Sequence, residues 1–242
     1  MNNLSYYLNF GLDFLKKYST QYFRALLVPI TCGAFGSLIM LNVVSNPSVA
    51  LLGLLSIPLF CFAFWRGYVV TFALNKVALS FKNSTNETLE NAINELKPKE
   101  KELAKFLGFC AAASIVGFLP CVIYFFKTID ILAIMSNPFS VLSDSNAIIG
   151  CFLISIFNML ILFPFLNFFN QAFFFKKENE SFISLTLNCY KKLDKQGVLL
   201  SILFGFLGIL ISAIHPLLYL IFALLLNLIT FSANTLWYSK KV

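Results

Sequence analysis

The sequence predicts an all-α protein: a polytopic membrane helical bundle of six transmembrane helices, built as three repeats of an interfacial amphipathic helix plus a transmembrane hairpin. Hydrophobic residues make up 59% of the chain, charged residues 12%, and the mean hydropathy is +0.81. These values lie outside the range of soluble domains. Six apolar runs are long enough to cross a bilayer, and basic residues flank alternate runs. Residues 1–242 are therefore predicted to form a single integral membrane domain.

The six predicted spans are set by the lengths of the apolar runs, because about 20 helical residues cross a ~30 Å hydrocarbon core. They are Ala25–Val44, Val49–Ala73, Phe106–Phe126, Ala147–Phe175, Val198–Ile214 and Leu217–Leu236. The runs are continuously apolar and lack the alternation of barrel strands, so helices are predicted. Short turns at Asn46-Pro47 and His215-Pro216 predict that spans one and two, and spans five and six, are antiparallel hairpins.

The distribution of basic residues predicts the orientation of the chain in the membrane. The residues before span one, between spans two and three, between spans four and five, and after span six carry sixteen of the eighteen Lys and Arg. Both termini are therefore predicted to be cytoplasmic, in a bacterial cytoplasmic (inner) membrane. The net charge of +7 is explained by this topology and by attraction to anionic lipid headgroups, so no nucleic-acid partner is expected.

The threefold repeat rests on an ungapped match between three amphipathic stretches. Shifting the first stretch by 81 and by 175 residues aligns three apolar positions on one helical face, followed each time by a lysine. The repeats are assigned to residues 1–80, 81–177 and 178–242. The stretches Leu4–Tyr18, Thr85–Pro98 and Ser181–Lys192 are predicted to be helices lying along the membrane surface. The segments 83–86 and 179–181 supply candidate N-cap side chains for the second and third of them.

This layout resembles the membrane domain that precedes some glycerophosphodiester phosphodiesterases, and related poorly characterised six-span bacterial inner-membrane proteins. The resemblance covers nearly the whole chain and rests on topology and on stretches such as Leu15-Lys16-Lys17 and Tyr190-Lys191-Lys192. It implies a helical bundle in the inner membrane and a link to lipid or envelope physiology. It assigns no functional residue.

The inventory of reactive side chains predicts that the protein is not an enzyme. The single histidine, His215, lies in a tight turn beside Pro216, where a structural role is more common than a catalytic one. All eleven acidic residues lie outside the predicted spans, so carboxylate chemistry within the membrane is not expected. The six cysteines are dispersed, with no metal-ligand spacing. No catalytic residue, cofactor or metal site is predicted.

Polar residues inside the predicted spans are the candidate ligand-binding residues. They form stripes on the even-numbered spans and consist of Arg66, Asn167, Asn170, Gln171, Asn227 and Asn234. All are near the cytoplasmic ends, so a shared inward-facing pocket for an anionic ligand is one interpretation. The other is that the amides join helices and that Arg66 extends to the interface. Small residues at four-residue spacing, such as Gly33 and Ser37, predict close helix contacts.

Two functional hypotheses follow. In the first, the protein is a non-enzymatic accessory or assembly factor that binds membrane lipids or a membrane protein partner at the cytoplasmic face. In the second, it is a small permease or lipid-handling transporter that uses the polar pocket between the even-numbered spans. The sequence does not identify a substrate or a partner.

Overall fold

The computed structural model describes residues 4–45, 50–128, 168–176, 180–214 and 216–242, and these ranges are helical without any strand. The helices are α1 (Leu4–Ser45), α2 (Ala50–Lys82), α3 (Leu89–Leu96), a 3-10 turn (Lys97–Lys99), α4 (Glu100–Thr128), α5 (Phe182–Lys192), α6 (Lys195–Ile214) and α7 (Pro216–Tyr238). Residues 168–174 are also helical. The predicted all-α class is confirmed.

Helix α1 differs from the prediction, because residues 4–45 form one helix of 42 residues. The expected separation of an interfacial helix, Leu4–Tyr18, from span one is wrong. The physical reason is the absence of any glycine or proline between Gly11 and Pro29. The other two predicted amphipathic helices do end before the next helix, α3 at Leu96, before Pro98, and α5 at Lys192. After α5, the Asp194 side chain caps α6 by accepting a hydrogen bond from the Gly197 amide at 2.9 Å.

Helices α1 and α2 form the predicted antiparallel hairpin. A Cβ built on Gly33 would lie 3.7 Å from the Ala63 Cβ, and one on Gly36 would lie 3.2 Å from the Phe60 ring. Near the opposite ends of the two helices, the rings of Phe14 and Phe81 are 5.8 Å apart. The predicted close contact at Gly33 is confirmed.

The chain divides into two compact units, and the first comprises residues 1–100 and 214–242. Its core joins the first half of α1, the second half of α2, helix α3 and α7. The core residues are Phe14, Tyr18, Tyr22, Leu26, Val70, Ala73, Leu74, Val77, Ala78, Leu89, Ala92 and Leu228. The buried residues of α1 recur every three or four positions, as expected for one face of a helix packed on its neighbours.

Helix α3 is fixed at its N-terminal end within the first unit. Ser84, with a φ of 56°, ends α2 in the left-handed region, and the Thr85 amide donates to the Ser80 carbonyl at 2.9 Å. The N-cap of α3 is Thr88, outside the predicted 83–86 segment, and Gln21 of α1 accepts a hydrogen bond from the Leu89 amide at 3.1 Å. Helix α3 is therefore shorter than the predicted Thr85–Pro98.

The second unit comprises residues 101–213 and is organised around phenylalanine rings. Phe106 of α4 stacks on Phe173 at 4.1 Å between centroids, and Phe109 lies 5.3 Å from Phe182 at the start of α5. Beside them, Lys176 makes an ion pair with Glu102 at 2.7 Å. Helix α5 begins after the predicted cap, Ser181, which accepts a hydrogen bond from the Ser184 amide at 3.2 Å. The predicted helix at 181–192 is confirmed as a helix, and its position along the membrane surface stays a prediction.

Two of the described helices are long and apolar enough to cross a membrane, over Leu4–Val43 and Gly53–Lys82. Their large apolar side chains between residues 27 and 64 are mostly exposed, in contrast to the core of a soluble protein. Leu27 is 59% exposed and Phe64 is 65% exposed. We call this part of α1 and α2, residues 27–43 and 53–64, the apolar hairpin. Its surface is suited to hydrocarbon.

Candidate functional site

The predicted ligand-binding residues fall in both compact units. Arg66, Asn227 and Asn234 belong to the first unit, and Asn170 and Gln171 belong to the second. Asn167 lies outside the described residues. A pocket shared by all six residues remains a prediction from the sequence.

Arg66 lies where α2 changes from exposed to buried residues. Leu54 to Phe64 on its N-terminal side include six exposed large apolar side chains, whereas Val69 and Val70 that follow are buried. Arg66 itself is half-buried, and among the described residues it makes no ion pair. A guanidinium at this boundary can reach water or an anionic oxygen.

The two asparagines of α7 have different environments. Asn227 is exposed, and its side chain and that of Thr71 lie within hydrogen-bonding reach of the Tyr22 hydroxyl, so this contact joins α7 to α1 and α2. Asn234 is buried. Its neighbour Thr235 donates a hydrogen bond to the Asn75 Oδ1 at 2.8 Å. These contacts resemble the polar contacts that hold membrane helices together.

In the second unit, the two described amides lie in the helical segment 168–174. Gln171 is fully buried beside the buried Phe169 and Ala172, and Asn170 is half-buried. The same segment supplies Phe169 and Phe173, whose rings pack against the Phe106 ring of α4. The structure therefore places Asn170 and Gln171 within the packing of their own unit.

A basic and aromatic site that the sequence did not single out lies at the end of the first unit. The Lys82 Nζ donates a hydrogen bond to the Ser239 Oγ at 3.1 Å, which places α2 beside the end of α7. Next to Ser239, the Lys240 Nζ lies 4.2 Å from the centre of the Tyr6 ring. We call Lys82 and Lys240 the lysine pair.

The lysine pair brings two like charges together. Partial burial, and then the positive charge of Lys82, lower the pKa of Lys240 below its usual value. Neither lysine makes an ion pair with a carboxylate in the described part of the chain, whereas Lys16 and Lys76 of the same unit do. The site is suited to an anion, because an anion would relieve the repulsion.

The lysine pair was missed because it is assembled from distant segments. In the sequence, Lys82 and Lys240 indicate only the predicted membrane topology. The sequence signal that could have indicated this site is the pair of aromatic doublets, Tyr6-Tyr7 and Trp237-Tyr238. Aromatic rings beside lysines favour cation–π contacts and interfacial positions. No spacing rule relates Lys82 to Ser239, which are 157 positions apart.

Comparisons of the chain with protein-family models, with curated proteins and with solved structures find no match.

Proposed function

We propose that this chain is a non-enzymatic integral membrane protein, an accessory or assembly factor that binds anionic lipid headgroups or a membrane protein partner at the cytoplasmic face of a bacterial inner membrane. The lysine pair carries the proposal. Lys82 of α2 is hydrogen-bonded to Ser239, just after α7, and Lys240 lies over the Tyr6 ring, so that each lysine's charge acts on the other. Neither lysine makes an ion pair with a carboxylate among the described residues.

The apolar hairpin supports the membrane part of the proposal. Residues 25–45 of α1 would extend about 31 Å at 1.5 Å per residue, which matches a ~30 Å hydrocarbon core. The rest of α1, toward Leu4, contains Lys16, Lys17 and Arg24 and packs in the core of the first unit with the ends of α2 and α7. In this arrangement the lysine pair lies on the cytoplasmic side of the hairpin.

The test compares two double variants of the full-length protein in a neutral detergent. Phosphatidylglycerol should raise the apparent Tm of the unaltered protein more than that of Lys82→Gln/Lys240→Gln. At about 1 kcal/mol per lysine, the difference should be about 5 °C. The control is Lys97→Gln/Lys99→Gln, which removes the same charge from two exposed lysines of the 3-10 turn. It should behave as the unaltered protein.

An equal lipid effect in both double variants would exclude the lysine pair as a lipid site. A second result would indicate that the lysine pair binds a protein partner. In that case phosphatidylglycerol raises the Tm of both double variants equally, but a membrane protein that co-purifies in mild detergent is lost only from Lys82→Gln/Lys240→Gln. Both results are obtained from the same preparations.

The alternative function is a small permease or lipid-handling transporter that uses a polar pocket between the even-numbered spans. Arg66 favours it, because a half-buried guanidinium without an ion pair in the described residues is suited to an anionic oxygen. Arg66→Leu, measured in the same lipid assay, separates the two functions. The transporter would be favoured if phosphatidylglycerol no longer raised the Tm of Arg66→Leu but raised the Tm of Lys82→Gln/Lys240→Gln as much as that of the unaltered protein.

A further inference from the structure

Helix α5 has apolar side chains on two opposite faces. Leu185 and Cys189 are buried against the second unit. Burial raises the pKa of the Cys189 thiol to about 12, so this side chain stays protonated and packs as a small apolar group. The opposite face carries Ile183, Leu187 and Tyr190, which are 69%, 56% and 39% exposed. These three residues, at positions i, i+4 and i+7, are called the α5 stripe.

The α5 stripe is narrow and well defined. At 100° per residue its three side chains lie within about 60° around the helix axis, and Leu185 and Cys189 lie on the far side. Ser184 and Asn188 separate the two apolar faces on one side. Their side chains are hydrogen-bonded to Glu180 Oε1, at 3.4 and 2.6 Å. The exposed apolar face is therefore bordered by an ordered polar edge.

The connection to α6 restricts where the α5 stripe can lie. Helix α5 ends at Lys192 and α6 begins at Lys195, so Tyr190 precedes the start of predicted span five, Val198, by only eight residues. Val198, Leu199 and Ile202 of α6 are themselves 37%, 42% and 49% exposed. If α6 enters hydrocarbon at Val198, as the proposed function requires, α5 must lie at the membrane surface.

The charges around the α5 stripe favour an anionic bilayer. Lys191 and Lys195 are exposed at the C-terminal end of the stripe, and Lys192 lies between them. The neighbouring acids have local roles, since Glu180 binds Asn188 and Asp194 caps α6. Lysines at the edge of an apolar face, with a tyrosine at its end, are typical of helices that lie in the headgroup region.

Helix α3 occupies the same place in the second repeat but lacks such a face. Its apolar residues Leu89 and Ala92 are buried in the core of the first unit. Its exposed residues are polar or charged, among them Glu90, Asn91, Asn94 and Glu95. An exposed apolar stripe is thus a property of α5 and does not follow from the repeat alone.

From these observations we infer that α5 is a lipid-contacting interfacial helix, which inserts Ile183, Leu187 and Tyr190 among the acyl chains of the cytoplasmic leaflet while Lys191 and Lys195 contact lipid phosphates. This inference rests on the proposed membrane placement of the chain. It deepens that proposal by assigning the lipid contact to one helix.

The experiment places the photoreactive residue p-benzoylphenylalanine at one position at a time in the full-length protein, reconstituted in nanodiscs of phosphatidylethanolamine and phosphatidylglycerol. After irradiation, mass spectrometry detects phospholipid adducts. The test positions are Ile183 and Leu187. Leu38 of the apolar hairpin, 59% exposed, is the positive control, and exposed Asn94 of α3 is the negative control.

The adduct yield at Ile183 and Leu187 should be similar to that at Leu38 and about tenfold above that at Asn94, because only acyl-chain contacts hold lipid at an apolar stripe. Adducts at Leu38 with none at Ile183 and Leu187 would overturn the α5 assignment and leave the proposed function standing. No adducts at Leu38 would overturn the membrane placement, and the α5 inference with it. Adducts of the α5 positions with a second polypeptide would assign the stripe to a protein partner and overturn the lipid contact.

Discussion

Gly11 brings α1 against the backbone of α7. A Cβ at this position would lie 2.7 Å from the Ile229 Cγ2 and 3.0 Å from the Ile229 carbonyl oxygen. Both atoms belong to a helix that packs tightly at this level, and a carbonyl oxygen cannot turn away as a flexible side chain can. Any side chain larger than glycine must therefore move the two helices apart.

We expect Gly11→Ala to destabilise the first unit by about 1–3 kcal/mol, the usual cost of overpacking. The matched control is Gly67→Ala, because a Cβ on Gly67 of α2 meets nothing within 4 Å. That substitution should be neutral or stabilising, by up to ~1 kcal/mol of helix propensity. Thermal unfolding of both variants in the same detergent measures the difference. A Gly11→Ala variant as stable as Gly67→Ala would show that α1 and α7 do not approach closely there.

Residue spacing predicted some of these contacts and missed others. The four-residue spacing of Gly33 and Ser37 was sufficient to predict a small-residue contact, and Gly33 does face Ala63. The contact of Gly11 with Ile229 was not predictable, because nothing local to Gly11 indicates which helix packs there. Similarly, the polar stripes identified Asn227, but its proximity to Tyr22 depends on packing that spacing does not encode.

At the scale of elements, periodicity identified helices better than it identified their breaks. The start of α5 was predicted correctly, because Ser181 is a good N-cap in a polar segment. The start of α3 moved to Thr88, since the Schellman turn at Ser84 uses residues 83–85 to end α2. For α1, the change from amphipathic to fully apolar sequence predicts a break, but the helix continues, with no glycine or proline between Gly11 and Pro29.

The continuity of α1 can be measured as a distance. Nitroxide labels attached through unnatural ketone residues at Asn9 and Leu38 leave the native cysteines in place, and both positions are exposed. A continuous helix separates their backbones by ~44 Å, 29 residues at 1.5 Å each. A right-angle bend between Ser19 and Arg24 would reduce this to about 31 Å with the same rise per residue. A distance distribution centred near the shorter value in nanodiscs would restore the separate interfacial helix.

At the scale of the whole molecule, composition determined the class of fold and charge determined the predicted orientation. The first unit brings together Lys82 and Lys240, which belong to two of the four segments predicted to be cytoplasmic. Two lysines that are far apart in the sequence thus meet at one end of the packed helices. Which side of the membrane this end occupies follows only from the positive-inside rule, so six spans and cytoplasmic termini remain predictions.

The orientation is testable with reporter fusions at the predicted loops. Alkaline phosphatase, which is active only outside the cytoplasm, should be active when fused at Pro47, Ser136 or His215. Green fluorescent protein, which folds inside, should be fluorescent when fused at Asn94 or Glu180. The reverse orientation would require translocating sixteen of the eighteen Lys and Arg, against the positive-inside bias. A cytoplasmic signal at Pro47 or Ser136 would reject the six-span arrangement. Cytoplasmic signals at all three predicted outside positions, with the reverse result at Asn94 and Glu180, would indicate the inverted orientation and would place both the lysine pair and the α5 stripe outside the cytoplasm.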